Sequence, residues 1–315
     1  MEDFKVLTPN RKRNSSHRGA RPSVIKSSAA LKGRRLGLWL AWLMTRPDTA
    51  RRSLEHWSEA GRAEMEAFYA LATEDYRQLA AARDWAADLS GHAVDDRVRL
   101  LDVACGSGKF PAALLVAGLP SQPTAEVDLL DPSTFSIAEA RAVLAPPFVA
   151  AAEHEAVLQD FSGTGYDVAW AIHALYALPP GELAAGVARM VAALRPGGFG
   201  AVAQASSRSH YLAFYDAYCA TFAADATPYT AAEGVAFALR AAGAPVEVQV
   251  LHYRTGTDDR AVVEGFLQRC AFDDTVSLEE MEEREPLAEY LAGCRGSDGT
   301  YEFQHEAHLI TWEQP

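Results

Sequence analysis

The sequence predicts an α/β domain on a doubly wound, seven-stranded, mostly parallel sheet, with helices ahead of the first strand. Three observations lead there. From residue 98 to 312, short apolar runs alternate with Ala- and Leu-rich stretches of helical length, the rhythm of parallel strands joined by crossover helices. The first run, 98–103, opens into the small-residue loop Cys105-Gly106-Ser107-Gly108 and then a helix, the arrangement that places ligands at the carboxyl ends of strands. The 315 residues, 49% hydrophobic, also suffice for a large core.

Residues 1–43 carry ten Lys or Arg against Glu2 and Asp3, whereas 44–315 hold 19 basic and 40 acidic residues. The arm is expected to be a dispensable, largely disordered basic extension. Its acid-free stretch 4–43 also has the composition of an organellar transit peptide. The apolar run 36–44 is nine residues long, against the ~20 needed to span a bilayer, and no A-x-A-like site separates it from Arg46-Pro47. Neither a membrane span nor a secretory signal is expected. The net charge of −13 repels phosphate backbones, so nucleic-acid binding is disfavoured. Cys105, Cys219, Cys270 and Cys294 are scattered, without a C-x-x-C pair or a His at zinc spacing. Free thiols in a reducing cytoplasm are expected, with no structural metal.

Residues 44–95 are expected to form a helical N-terminal lid. Over 53–89 Ala, Leu, Glu and Arg dominate, with Gly61 the one interruption, and Phe68, Leu71, Tyr76 and Leu79 fall near one face. The domain proper is placed at 96–315. Strands are predicted at 98–103, 124–130, 148–151, 166–172, 200–205, 246–253 and 305–312, with helices near 108–118, 135–144, 152–157 and 181–194. Helical insertions are placed near 206–243 and 254–304. The second is expected to hold one or two helices, its acids Glu279, Glu280, Glu282, Glu283 and Glu285 forming a solvated face.

The loop after the first strand decides the ligand. A phosphate loop requires Gly at 103 and Ser or Thr at 110, where the chain has Val103 and Phe110. A dinucleotide fingerprint started at Gly106 requires Gly or Ala at Pro111, where close helix packing is needed. Asp102-Val103-Ala104-Cys105-Gly106-Ser107-Gly108 instead resembles the first motif of class I S-adenosylmethionine-dependent methyltransferases, with Ala104 where that family usually has Gly. Ala is expected to fit there with φ below zero. Further elements follow in family order: Asp128-Leu129-Leu130-Asp131-Pro132-Ser133 at the end of the second strand, Leu158-Gln159-Asp160-Phe161 after the third, Ala169-Trp170-Ala171-Ile172-His173 at the fourth, and Arg195-Pro196-Gly197-Gly198 before the fifth. The resemblance covers roughly residues 98–205 and implies a Rossmann-like methyltransferase fold.

It also implies a cofactor site. Asp102 would face the methionine amino end, a carboxylate against an ammonium, with Ala104, Gly106 and Gly108 beneath it. Asp131 and Ser133 would serve the ribose, Asp131 being preferred to Asp128 because it ends the apolar run. Asp160 and Phe161 would take the adenine, and Ala171 lies on the fourth strand beside the cofactor. A rival role for Asp131 is capping the next helix. His173, just past the fourth strand, is the candidate base for an acceptor N–H or O–H, or else a residue that orients a helix. Tyr69, Tyr76, Tyr176, His210 and Tyr211 are candidate substrate-binding residues, with core packing as the alternative. No D-x(n)-D-N cluster follows Trp170, so no metal is expected. No DPPY- or NPPF-type tetrapeptide receives a flipped base or amide. The expected reaction is methyl transfer to an O, N or C atom of a small, aromatic metabolite of secondary metabolism, by a monomer or homodimer. A nicotinamide-dependent reductase and a non-catalytic cofactor-binding protein remain the alternatives.

Overall fold

A computed structural model describes residues 48–315, all within the compact unit Arg46–Pro315. The basic extension expected over 1–43 lies outside the described residues. Three helices come before the sheet: α1 (Asp48–His56), α2 (Arg62–Ala81) and α3 (Trp85–His92), with a 3-10 turn at Glu59–Gly61. Asp84 caps α3 by accepting from the Ala87 N–H.

The sheet alternates with helices: β1 (Arg97–Val103), α4 (Lys109–Val116), β2 (Thr124–Asp131), α5 (Thr134–Val143), β3 (Phe148–Glu155), β4 (Tyr166–Ile172), α6 (Pro180–Ala193) and β5 (Leu194–Ala205). Then come α7 (His210–Phe222), α8 (Ala232–Ala241), β6 (Glu247–Thr257), α9 (Arg260–Ala271), α10 (Leu278–Glu283), α11 (Leu287–Cys294) and β7 (Tyr301–Glu313). Strand order is β3-β2-β1-β4-β5-β7-β6, and β7 runs antiparallel to both its neighbours. The predicted seven-stranded, mostly parallel sheet is present.

Strand alternation sorts the core into two layers. On β4, Val168, Trp170 and Ile172 face α3, α4 and α5, packing with Trp85, Phe110 and Ile137. Ala169 and Ala171 face α6 and α8, packing with Val187, Met190, Val235 and Leu239. A third cluster joins α2, α7, α9, α10 and α11 around Phe214, Phe266 and Phe303. It adjoins Ala205, the last residue of β5, and so covers the carboxyl end of that strand.

Three expectations need correction. The Ala-rich stretch 152–157 is not a helix, because β3 runs to Glu155 and pairs His154 with Leu130 and Glu155 with Asp131 beyond a register shift. Pairing with β2 overrides the helical propensity of alanine. Residues 254–304 hold three helices, not one or two, and Ser277 opens α10 with a capping box. The third correction concerns α3: its Trp85 and Leu89 lie in the sheet's own core.

Candidate functional site

β1 delivers Asp102 to the mouth of the sheet. Its carboxyl group is 4% exposed, and Oδ2 has no hydrogen-bond partner among the described residues. Burial pushes its pKa up to about 7, with the nearby charge of Asp131 adding to the rise. The following loop turns left-handed at Ala104 (φ 49°), Gly106 (φ 51°) and Gly108 (φ 69°). The expectation of a negative φ at Ala104 is therefore wrong: this alanine holds a glycine conformation at a steric cost. At Gly108 a Cβ would lie 2.6 Å from Val143 Cγ2 and 3.0 Å from Ala140 Cα, so glycine is what lets the loop meet α5.

Asp131 ends β2 and grips the loop. Its Oδ2 accepts from the Gly106 N–H (3.1 Å) and its Oδ1 from the Ser133 N–H (2.8 Å). Burial raises its pKa to about 6 against the pull of those two bonds. Asp128 is differently engaged, accepting from Tyr166 Oη (2.6 Å), the Ala152 N–H (3.0 Å) and His154 Nε2 (3.2 Å). It ties three strands together. Ser133 is the N-cap of α5, and its hydroxyl donates to the Trp57 carbonyl at 2.9 Å. Asp160 is exposed at the end of the 3-10 turn Leu158–Asp160. Phe161 is buried against the His154 and Tyr166 rings, and Ala171 points into the sheet core.

α2 crosses above the loop. The Tyr69 hydroxyl lies 2.9 Å from Ser107 Oγ, and Lys109 Nζ sits 4.2 Å from the Tyr69 ring centroid. Desolvation pushes the Tyr69 phenol up to about 12. Two turns further on, Tyr76 packs edge-on against the His173 ring, 5.9 Å between centroids, and it also feels the charge of Asp102. Tyr76 thus stands between the loop and a cavity of about 90 Å³ beside the end of β4.

That cavity has Tyr76, His173, Tyr176 and Tyr211 on its wall and leaves Tyr69 and His210 out. His210 is 2% exposed, sandwiched among Phe214, Phe266 and Phe303, with Nδ1 at 2.8 Å from Tyr290 Oη. It belongs to the third core cluster by its surroundings. His173 has φ 52°, a left-handed backbone of the kind that persists where the surroundings hold it. Its N–H donates to the Ala203 carbonyl, Nδ1 lies 2.6 Å from Tyr176 Oη, and buried Nε2 has no partner among the described residues. Burial lowers its pKa to about 4, so the ring is neutral at physiological pH.

Sequence reading missed other wall residues, among them Trp57, Asp75 and Arg269. Asp75 had a signal, since it falls one turn from both Leu71 and Leu79 on the buried face of α2. An acid on an apolar stripe is the exception that marks a site.

Residues 100–198 match the family of methyltransferase domains. The chain carries a methyltransferase domain. It is a methyltransferase, and the buried Asp102 oxygen and glycine-rich cradle fit S-adenosylmethionine as the methyl donor. No curated protein matches the sequence. Among solved structures, a candidate methyltransferase of Bacillus halodurans is 16% identical with TM-score 0.51, covering 74% of this chain and 99% of its own. The magnesium protoporphyrin IX methyltransferase of Synechocystis, crystallised with S-adenosylhomocysteine, is 13% identical with TM-score 0.48, covering 83% and 99%. At such identities the likeness to the Bacillus protein shows the fold.

Proposed function

We propose that this enzyme methylates a small, largely aromatic metabolite, held in the cavity beside His173 under a lid formed by α1 and α2. One observation carries the reading: an aromatic cavity at the mouth of β4 contains a neutral histidine whose Nε2 is buried without a partner. The cofactor, when bound, supplies a methyl group on a sulfonium, open to in-line displacement. Asp102 would hold its ammonium, Asp131 its ribose hydroxyls, and Asp160 with Phe161 its adenine. Tyr69 and Tyr76 would close the passage between the two chambers and keep water out.

His173 would act at the acceptor atom. In the tautomer that carries its proton on Nδ1 and donates it to Tyr176 Oη, which also accepts from the Ala205 N–H at 3.0 Å, Nε2 keeps a lone pair for the acceptor. A ring with pKa near 4 does not strip a proton from a resting hydroxyl or amine. It can orient that group and accept the proton as the methyl bond forms, when the acceptor becomes strongly acidic. Scattered free thiols accord with a cytoplasmic enzyme of secondary metabolism.

The test is release of S-adenosylhomocysteine from S-adenosylmethionine with a panel of small phenols, indoles and aromatic amines. His173→Ala should lower turnover roughly 100-fold on an accepted compound while leaving S-adenosylhomocysteine affinity nearly unchanged. His173→Gln keeps a hydrogen bond, so near-normal turnover in that variant would reduce His173 to a shaping role. Turnover on non-aromatic compounds alone would overturn the substrate class.

A further inference from the structure

The α2 carboxylate of Asp75 is absent from every role assigned above. It is 2% exposed, on the wall of the acceptor cavity, 75 in sequence where the helix otherwise buries Leu71, Ala72 and Leu79. Its Oδ2 accepts from Tyr211 Oη at 2.6 Å, and Oδ1 has no hydrogen-bond partner among the described residues. A buried carboxylate in this state is costly unless a cation joins it. The surrounding wall is aromatic, lined by Trp57, Phe68, Tyr76, Tyr176 and Tyr229, a lining that also suits a cation. Arg269 shares the wall, but its guanidinium lies over the Trp57 ring at 4.4 Å and donates to the Gly61 carbonyl at 3.5 Å.

We propose that Asp75 is the specificity residue of the acceptor site, and that it selects aromatic acceptors bearing a protonated amine, which it anchors within the aromatic cavity. This rests on the reading of that cavity as the acceptor site. It concerns the anchoring group and leaves the methylated atom open.

The protonation behaviour of the neighbourhood agrees. Burial pushes Asp75 up to about 7, opposed by the hydrogen bond from Tyr211 on α7 and reinforced by Glu74. Around it His173, just past β4, and His305 on β7 are driven down to about 4 and about 3 by burial, so both stay neutral above pH 6. The phenols of Tyr76, Tyr211 and Tyr253 and the Cys270 thiol on α9 are pushed well above their usual range by burial. Between pH 6 and 8 Asp75 is the group in this cavity that changes charge.

Three probes of similar shape separate the outcomes: 2-phenylethylamine, 2-phenylethanol and 3-phenylpropionate, titrated calorimetrically into the full chain with and without S-adenosylhomocysteine. The amine should bind at least about tenfold more tightly than the alcohol, and tighten by up to about tenfold from pH 6 to 8 as the carboxylate ionises, while the alcohol stays level. Asp75→Asn should bring amine and alcohol to parity. If that variant fails to fold, the pH series on the unaltered protein with S-adenosylhomocysteine bound, which occupies the ammonium site of Asp102, decides. Equal binding of amine and alcohol, or tightest binding of the propionate, which would put Arg269 in charge, overturns the proposal. S-adenosylhomocysteine binding is read from its own titration: its absence sinks the cofactor-site reading, whereas its presence without amine preference sinks only the role of Asp75.

Discussion

Asp102 shows how one buried carboxylate trades stability for binding. Its folded pKa of about 7 lies above the unfolded value near 3.9, so the stability it contributes is present at low pH and is lost as pH rises through 7. A cofactor ammonium favours the ionised form and reverses the sign. S-adenosylhomocysteine affinity should therefore rise by roughly tenfold from pH 5.5 to 8, with Asp131, near 6, sharing the lower part of the window. Asp102→Asn should bind weakly at every pH, yet melt higher than the unaltered protein at pH 8 and not at pH 5 when ligand-free. Calorimetry and melting curves at the two pH values check both halves; a variant with unchanged affinity removes Asp102 from the site. Ala104 offers a second residue-scale test. Its φ of 49° costs a β-carbon about 1 kcal/mol, so Ala104→Gly should gain about 0.5–1 kcal/mol in urea unfolding despite the looser unfolded chain. A loss would mean that the alanine methyl packs usefully. The acid and the loop were legible from the strand-to-glycine pattern, which local sequence dictates. The φ at Ala104 was not, because it is imposed by the bond from the Gly106 N–H to Asp131, 25 residues away.

At the scale of elements, the cavity exists because α2 and α9 cross closely enough to wall it. The crossing point is Gly265, where a Cβ would stand 2.5 Å from the Ala67 Cβ. On either side α2 contributes Phe68 and Asp75 to the wall, and α9 contributes Arg269 and Cys270. Gly265→Val should force the helices apart, lowering stability by about 1–3 kcal/mol. It should weaken aromatic probes much more than S-adenosylhomocysteine, because Phe68, Arg269 and Cys270 of the cavity wall belong to the two helices that would be forced apart. Equal losses for both ligands would show that the two chambers respond as one. Helix α9 falls in the stretch from which sequence analysis expected least. Its acids do lie outward on α10, where Glu279 is exposed, but Val263, Phe266 and Leu267 of α9 form the apolar stripe that builds the third core cluster. The acid-rich composition of the segment masked that stripe. His210 is the converse case: an aromatic run beside a strand end looked like a pocket wall, and the rings of Phe266 and Phe303, remote in sequence, enclose it instead.

Across the whole molecule, the strand order places β1 and β4 side by side at the centre, with Asp102 paired to Trp170, so the cofactor loop and the His173 mouth emerge together. The alternation of apolar runs and helices made that layout readable, whereas the antiparallel β7 between β5 and β6 follows from long-range pairing that no local pattern encodes. Among the described residues no helix is long and apolar enough to cross a membrane. The three core clusters are built from residues between Phe68 and Trp312. The basic arm carries almost no periodic apolar face between Leu7 and Leu36. A chain beginning at Met44 is therefore expected to fold and to bind S-adenosylhomocysteine within twofold of the full chain, a limit set well inside the tenfold that ~1.4 kcal/mol represents. Melting curves and calorimetry on the two chains make the comparison. A loss of several degrees on truncation would place residues 36–43 against the body, and a selective loss of cofactor affinity would make the basic arm part of the binding site.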